Sequence, residues 1–320
     1  MTRMVDRELS VQALQSALPY IRLYRGRLFV VKIGGAICGD LVALADLAKQ
    51  VSVLSEFGIR VVLVHGGGPQ TTALSNRLGF PTRFAAGRRI TDENVLEVAV
   101  MTMNGTVNTA ILSACRAAGI SAVGLSGLDA GLVRATRRGP VTKEVDGEPT
   151  TIDYGLVGDV VRIEPAVLRC LLEAGMLPVV SPLSADDSGQ VLNINADTVA
   201  ASIAASLSAE KLVFVTDTPG LLSDAANPSS LVSYVDLKGL ETLISRGAVG
   251  GGMLPKLAAA MGALEAGVGR VHMVGYRARS SLLVEVFTNE GAGTLIVKSA
   301  SDLLPAEHSH GSIPPGAMES

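Results

Sequence analysis

One charged side chain is placed where it could handle an anion. It is Lys32, in Leu28-Phe29-Val30-Val31-Lys32-Ile33-Gly34-Gly35. Branched and aromatic residues on both sides of it mark a strand covered on both faces. A lysine near the end of such a strand is costly unless an anion or a carboxylate meets it. The glycines that follow let backbone N–H groups approach a ligand closely. The same grammar returns in Val61-Val62-Leu63-Val64-His65-Gly66-Gly67-Gly68, with Pro69 placed to start a helix. In open parallel sheets, ligands sit at the carboxyl ends of the strands. The two stretches therefore predict a parallel-sheet enzyme holding an anionic ligand over two glycine turns. Neither is a P-loop, because the lysine precedes the glycines, and neither carries Gly-x-Gly-x-x-Gly. Two further charges are Asp197, in Asn193-Ile194-Asn195-Ala196-Asp197, and Lys256, after Gly250-Gly251-Gly252-Met253-Leu254-Pro255. Both sit at helix starts, where a capping carboxylate and a solvated lysine are the plainer alternatives.

The rest of the chain describes the scaffold that must position them. Its 320 residues suffice for one large or two ordinary domains. Apolar residues make up 48%, yet aromatics only 3%, with no Trp. The core must therefore be built from Ala, Val, Leu and Ile, as where helices pack closely on a parallel sheet. A net charge of −3 implies no general polyanion-binding surface, so no nucleic-acid partner is expected. Cys38, Cys115 and Cys170 are scattered, odd in number and without metal spacing, which fits a reducing compartment. The charged start (Arg3, Asp6, Arg7, Glu8) is no secretory signal, and no apolar run reaches membrane-spanning length. A cytoplasmic location with no membrane partner is expected.

Helical spacing over 8–24 precedes the first core strand, and Pro19 should kink it. Asp40 is placed to cap a helix over 41–57 that Gly58 ends. Strand 60–64 and a helix from Pro69 continue a right-handed βαβ unit. Thr91 or Asp92 opens a long helix running to Ala118, irregular at Gly105. Residues 132–163 read as β-hairpins turning at Arg138-Gly139-Pro140 and Asp146-Gly147. Strands are expected at 177–181, 211–216, 270–274 and 293–296, and helices at 165–175, 197–209, 236–246, from 256 onward and at 280–286. The tail from 299 reads as disordered, with His308 and His310 solvated rather than on a metal.

Taken together, the motifs resemble those of the N-acetylglutamate kinases, within the amino-acid kinase family. The matching pieces are Val31-Lys32-Ile33-Gly34-Gly35, His65-Gly66-Gly67-Gly68-Pro69-Gln70, Gly87-Arg88-Arg89-Ile90-Thr91-Asp92, Val123-Gly124-Leu125-Ser126-Gly127, Asn193-Ile194-Asn195-Ala196-Asp197, Gly251-Gly252-Met253-Leu254-Pro255-Lys256 and Leu283-Val284-Glu285-Val286-Phe287-Thr288. They occur in order over residues 10 to 298. The resemblance implies an α/β fold, a three-layer αβα sandwich around a mainly parallel sheet. It implies a substrate lobe over 26–207, a nucleotide lobe over 208–298, an oligomerisation helix over 1–25 and a tail over 299–320. The activity it implies is ATP-dependent phosphorylation of the γ-carboxylate of N-acetyl-L-glutamate. Lys32 and Lys256 would bracket the migrating phosphoryl and Asp197 would orient both. Arg89 and Asn193 would hold the substrate, and Gly34, Gly35, Gly67 and Gly68 would offer N–H groups. Thr216, Asp217, Gly220, Leu221, Gly250 and Gly252 would line the nucleotide pocket. Mg²⁺ would ride on the ATP phosphates, so no protein metal ligand is named. A carboxylate nucleophile needs no base, so His65 reads as structural.

Two other functions compete. A kinase for an aminoadipate or glutamate group on a carrier protein needs a basic patch, and only Arg134, Arg137 and Arg138 cluster. A non-catalytic amino-acid sensor on the same fold would lose the charged site, which is intact here. The resemblance extends to Ser16-Ala17-Leu18-Pro19-Tyr20-Ile21-Arg22, which looks like the extra helix of the arginine-inhibited kinases. It implies a homo-oligomer, a dimer or a hexamer built as a trimer of dimers, and L-arginine bound near Glu285, Gly291 and Gly293. The chain departs from the family at Gly275-Tyr276-Arg277, where Asp-Gly-Arg is usual.

Overall fold

The computed structural model describes residues 15–145, 148–224, 227, 229–250, 252–288 and 291–303. The expectations for the start of the N-terminal helix, for the Asp146-Gly147 turn and for the tail with His308 and His310 fall outside the described residues. Helix α1 (15–24) runs through Pro19 to the first strand, β1 (Leu28–Ile33). After the first glycine turn come a single helical turn, α2 (Gly35–Cys38), then α3 (Leu41–Glu56), whose N-cap Asp40 accepts from Val42 N and Ala43 N. Strand β2 (Arg60–His65) leads through the second glycine turn into α4 (Gly68–Arg77), with Pro69 in its first turn. A small hairpin, β3 (Phe84–Ala85) with β4 (Arg88–Arg89), precedes α5 (Glu93–Val100), capped by Asp92. A π-helical segment (Met101–Val107) joins α5 to α6 (Asn108–Ala117).

Strand β5 (Ala122–Ser126) is followed by β6 (Val133–Arg137), β7 (Val141–Val145), β8 (Glu148–Ile152) and β9 (Gly158–Ile163), the expected hairpin region. Then come α7 (Ala166–Glu173), β10 (Leu177–Ser181), β11 (Leu183–Ala185), β12 (Val191–Asn193) and α8 (Ala196–Ser206). The last portion holds β13 (Lys211–Thr216), β14 (Tyr234–Asp236), α9 (Leu237–Ser245), α10 (Leu254–Glu265), β15 (Arg270–Gly275), α11 (Ser281–Phe287) and β16 (Gly293–Val297).

Eight strands form one sheet in the order β14-β16-β15-β13-β1-β2-β10-β5. β14 and β16 run against the other six, which are parallel. Side chains alternate across the sheet and so define two cores. Leu28 and Val30 of β1, Val62 and Val64 of β2, and Leu212 and Phe214 of β13 face α8 and α10. Phe29, Val31 and Ile33, with Val61, Leu63, Val213 and Val215, face α3 and α6. The result is a three-layer αβα sandwich. The chain turns to opposite sides of β1, first to β2 and later to β13, so the carboxyl end of β1 is a topological switch point.

The helix from Glu93 to Ala117 is 25 residues long and, by length and composition alone, apolar enough to cross a membrane; half of its apolar window is buried inside the protein. Thr102, Asn104, Gly105 and Asn108 break any uninterrupted apolar run, yet the average over the helix stays high.

Candidate active site

Residue parity decides which charges meet. Lys32 lies in register with Val64 of β2 and Phe214 of β13 and shares their face, the one covered by α8 and α10. Asp197 sits in the first turn of α8 and Lys256 in the first turn of α10. Lys32 Nζ lies 2.7 Å from Asp197 Oδ1, and Lys256 Nζ 3.3 Å from Asp197 Oδ2. Asp197 does not cap its helix; Asn195 does, accepting from Asp197 N and Thr198 N. Lys32 and Asp197 are almost fully enclosed, at 5% exposure each, and Lys256 is half-buried. Burial pulls the Lys32 ammonium below its ordinary pKa, and Lys256 adds repulsion, against the pull of Asp197. Burial alone would raise the Asp197 carboxyl; the two ammonium groups outweigh it and hold the group below its ordinary value. The trio carries one net positive charge in a place that water barely reaches, which an incoming anion would balance.

The two glycine turns meet beside this trio. A Cβ on Gly35 would lie 2.6 Å from Pro69 Cδ, so only glycine permits that approach. Gln70 Nε2 donates to Gly35 O at 2.7 Å and ties the turns together. Gly34 N donates to Val215 O, and Gly66 N to Ile33 O. Gly67 and Gly68 open α4. Arg89 backs them: its Nη2 donates to Gly68 O at 2.7 Å and to Thr72 Oγ1 at 2.8 Å, and its Nη1 to Thr82 Oγ1 at 3.3 Å. Burial lowers the Arg89 pKa, but a guanidinium stays charged. Asn193, at the end of β12, donates to Thr91 Oγ1 at 3.3 Å. Arg134, Arg137 and Arg138, the candidate basic patch, each meet an aspartate: Asp187, Asp153 and Asp159.

Thr216 ends β13 beside the carboxyl end of β1 and Asp217 follows it, Thr216 buried and Asp217 exposed. Gly220 packs against Thr294 and Leu231, and Leu221 buries its side chain in the α8–α10 core while its N–H donates to Thr294 Oγ1. Those two positions can face a ligand only through backbone. Gly250 and Gly252 are exposed ahead of α10. Glu285 does not present an open carboxylate. His272 Nδ1 lies 2.6 Å from its Oε1, while Oε2 accepts from Ala292 N and Gly293 N. Burial alone would raise this carboxyl; the His272 and backbone hydrogen bonds bring it down to about 2. Gly293 lies in this network, with Gly291 two residues away. Among the described residues no group of three His, Cys, Asp or Glu is placed to hold a metal ion.

Sequence reasoning missed Gln70, Thr72, Thr82 and Asn108. Gln70 ties the two turns together, Thr72 and Thr82 hold Arg89, and Asn108 meets His65; of these only Gln70 lies inside a recognised motif.

Residues 27–275 match the model of the amino acid kinase family. The chain belongs to the amino acid kinase family. Within that family it is 46% identical over 288 residues to the acetylglutamate kinase of Myxococcus xanthus (strain DK1622), covering 89% of this chain and 94% of that one. It is 41% identical over 286 residues to the chloroplastic acetylglutamate kinase of Arabidopsis thaliana, covering 89% and 80%. Among solved structures it is similar to N-acetylglutamate synthase from Neisseria gonorrhoeae complexed with coenzyme A and N-acetyl-glutamate. The TM-score is 0.77 at 32% identity, over 91% of this chain. This amino acid kinase spans only 64% of that synthase chain. The same synthase has been solved with coenzyme A and L-arginine.

Proposed function

We propose that the chain transfers the γ-phosphoryl group of ATP to the γ-carboxylate of N-acetyl-L-glutamate, giving ADP and an acyl phosphate, as a step of arginine biosynthesis. The observation that carries this reading is the Lys32–Asp197–Lys256 trio beside two glycine turns, in a chain 46% identical to an acetylglutamate kinase. In the transfer, a substrate carboxylate oxygen bonds to phosphorus as the bond to the ADP oxygen breaks. The carboxylate is already a nucleophile, so no general base is needed. Positioning and charge neutralisation supply the rate. Lys32 and Lys256 neutralise the phosphoryl oxygens, and Asp197 holds the two cations apart and aimed. Arg89 and Asn193 hold the α-carboxylate and the acetamido end, and the N–H groups at Gly34, Gly35, Gly67 and Gly68 hold the transferring group and its acceptor. The nucleotide lies over Thr216, Asp217, Gly220 and Leu221, against Gly250 and Gly252. The division into lobes at 26–207 and 208–298 follows from this assignment. Asp197 is committed to two ammonium groups, so the trio has no carboxylate free for a metal. Mg²⁺ fits as an ion carried on the ATP phosphates, where it adds further charge neutralisation.

An ADP-release assay over a panel of acylated, free and carrier-linked amino acids, with hydroxamate trapping of the acyl phosphate, tests the reaction. The expected result is turnover on N-acetyl-L-glutamate. Activity on a carrier-linked substrate with none on N-acetyl-L-glutamate would overturn it; the pairing of Arg134, Arg137 and Arg138 with aspartates argues against a carrier surface there.

The proposal extends to a cytoplasmic, homo-oligomeric enzyme under L-arginine inhibition. Cys38 and Cys115 are buried thiols, Cys170 is exposed, and all three are free. Tyr24 at the end of α1 lies under Lys211 Nζ, which meets His272 Nε2 at 2.9 Å, which meets Glu285. These contacts join α1 to the 292–293 backbone, so an effector wedged there would act on both. Titration of initial rates with L-arginine checks this arm, and rates unchanged at millimolar arginine would remove it.

A further inference from the structure

His65 is the residue of the second glycine turn that the transfer chemistry leaves without a task. Its ring is fully buried, on the α6 side of the sheet, opposite the face that carries Lys32. Nδ1 lies 2.9 Å from Gly66 O. A carbonyl only accepts, so Nδ1 carries the proton. Nε2 is then an acceptor, and it meets Asn108 Nδ2 at 3.2 Å. The same amide nitrogen donates its second hydrogen to Val179 O at 3.2 Å. Because Val179 offers only a carbonyl, the amide has one satisfactory orientation. One backbone oxygen of β10 thus fixes the Asn108 amide, which fixes the His65 tautomer, which fixes the Gly66 carbonyl.

The far end of this relay is the peptide between Gly66 and Gly67. The peptide is planar and trans, so its N–H points opposite to its C=O. With Gly66 O drawn toward the ring, the Gly67 N–H is turned toward the face of Lys32 and Asp197. Gly67 is itself buried, and among the described residues its N–H has no acceptor. A buried N–H in that state is rare unless a ligand takes it. The surroundings are shaped to the relay. A Cβ on Gly124 would lie 2.0 Å from Asn108 Oδ1, so β5 leaves that space to the amide. The π-helical segment ends immediately before Asn108, and its Met103 closes on Gly67, with Cγ 2.9 Å from where a Cβ would stand. Burial pushes the His65 pKa down to about 4, which keeps the ring neutral near neutral pH, so one nitrogen can accept while the other donates.

We propose that Asn108 and His65 are positioning residues for the phosphoryl transfer, a tautomer relay that aims the Gly67 N–H at the acceptor carboxylate. This rests on the kinase reading above, and the experiment separates the two. Ring ¹⁵N spectra of the resting enzyme need no substrate and should show His65 protonated at Nδ1 and bare at Nε2. In Asn108→Leu the tautomer should become mixed. Both Asn108→Leu and His65→Leu should lower kcat/KM for the acyl amino acid by roughly five- to a hundredfold, the worth of one buried hydrogen bond, with the KM for ATP unmoved. His65→Asn, whose amide nitrogen takes the place of Nδ1, should recover most of that loss. A wild-type ring protonated at Nε2 overturns the relay, as does a His65→Leu enzyme with unchanged kcat/KM, or one whose KM for ATP rises in parallel. Should His65→Leu not fold, the ring spectra with Asn108→Leu and His65→Asn still decide. A chain inactive on N-acetyl-L-glutamate but showing the Nδ1–H ring would fail the substrate reading alone.

Discussion

A lysine enclosed in a strand survives only beside a counter-charge, and Lys32 and Asp197 supply each other with one. The trio is not symmetrical: Asp197 has two cations and each cation has one carboxylate. Asp197→Asn therefore leaves two ammonium groups facing each other across an amide, whereas Lys32→Met leaves Asp197 paired with Lys256. Both should cut turnover by roughly a hundredfold or more, the usual loss when one preorganised charge is removed from a transition state. Asp197→Asn should also depress the Lys32 pKa further, so its residual activity should rise at higher ionic strength more than that of Lys32→Met. Initial rates over a salt series check this, and near-normal turnover in Lys32→Met contradicts the assignment. His65 gives a second prediction. Between its ordinary 6.5 and about 4, the unfolded chain binds a proton that the native ring refuses. Stability from this group is therefore full above pH 6.5 and falls as pH drops to about 4, by on the order of 1 kcal/mol per pH unit. Denaturant melts of wild type and His65→Asn from pH 7 to 4.5 should converge toward acid, and parallel curves would refute this. Lys32 was legible in the sequence because a charge in an apolar run is locally conspicuous, whereas Asp197 and Lys256 were singled out by the motifs shared with the N-acetylglutamate kinases. Asn108 was not, because nothing near it in the chain marks the ring it meets from another element.

At the element scale, helices and long buried strands announced themselves through caps and apolar runs: Asp40 and Asp92 do cap their helices. The three-residue strands did not. β14 exists because Tyr234–Asp236 falls in register with Leu295–Val297, a pairing with no local signature. The irregularity expected at Gly105 is real, but its kind, a π-helical stretch of seven residues, has no signature in the local sequence. Gly105 has nothing within 4 Å of an added Cβ and no left-handed φ. Gly105→Ala should therefore stabilise by about 0.5–1 kcal/mol through the unfolded chain. Gly262, equally open in the regular helix α10, is the control. Thermal melts of both variants should shift upward alike. A loss confined to Gly105→Ala would show that the π-helical backbone, rather than free space, sets the demand at that position.

At the scale of the molecule, α1 has one inward face and one outward. Tyr24 is buried, its ring edge-on to Phe29 at 5.3 Å and beneath Lys211 Nζ at 4.8 Å. Leu18 and Leu23 are 39% and 43% exposed. A second copy of the chain that covered this face would enclose the part of each leucine still exposed, worth on the order of 1 kcal/mol per side chain. In the hexamer that the sequence resemblance implies, this outward face would lie between dimers. Deleting residues 1–25 tests assembly poorly, because it also removes Tyr24 from the core. Leu18→Glu with Leu23→Glu leaves Tyr24 and its contacts in place and puts two carboxylates on the outward face. The double variant should melt within a degree or two of the parent when diluted, since neither side chain has a core to leave. Light scattering at matched concentration should show its mass fall to about a third, from six chains to two, and any arginine inhibition transmitted through α1 should weaken with it. A double variant that keeps the parent's mass would place the assembly surface elsewhere and leave α1 with only its inward task, covering Phe29 and Lys211.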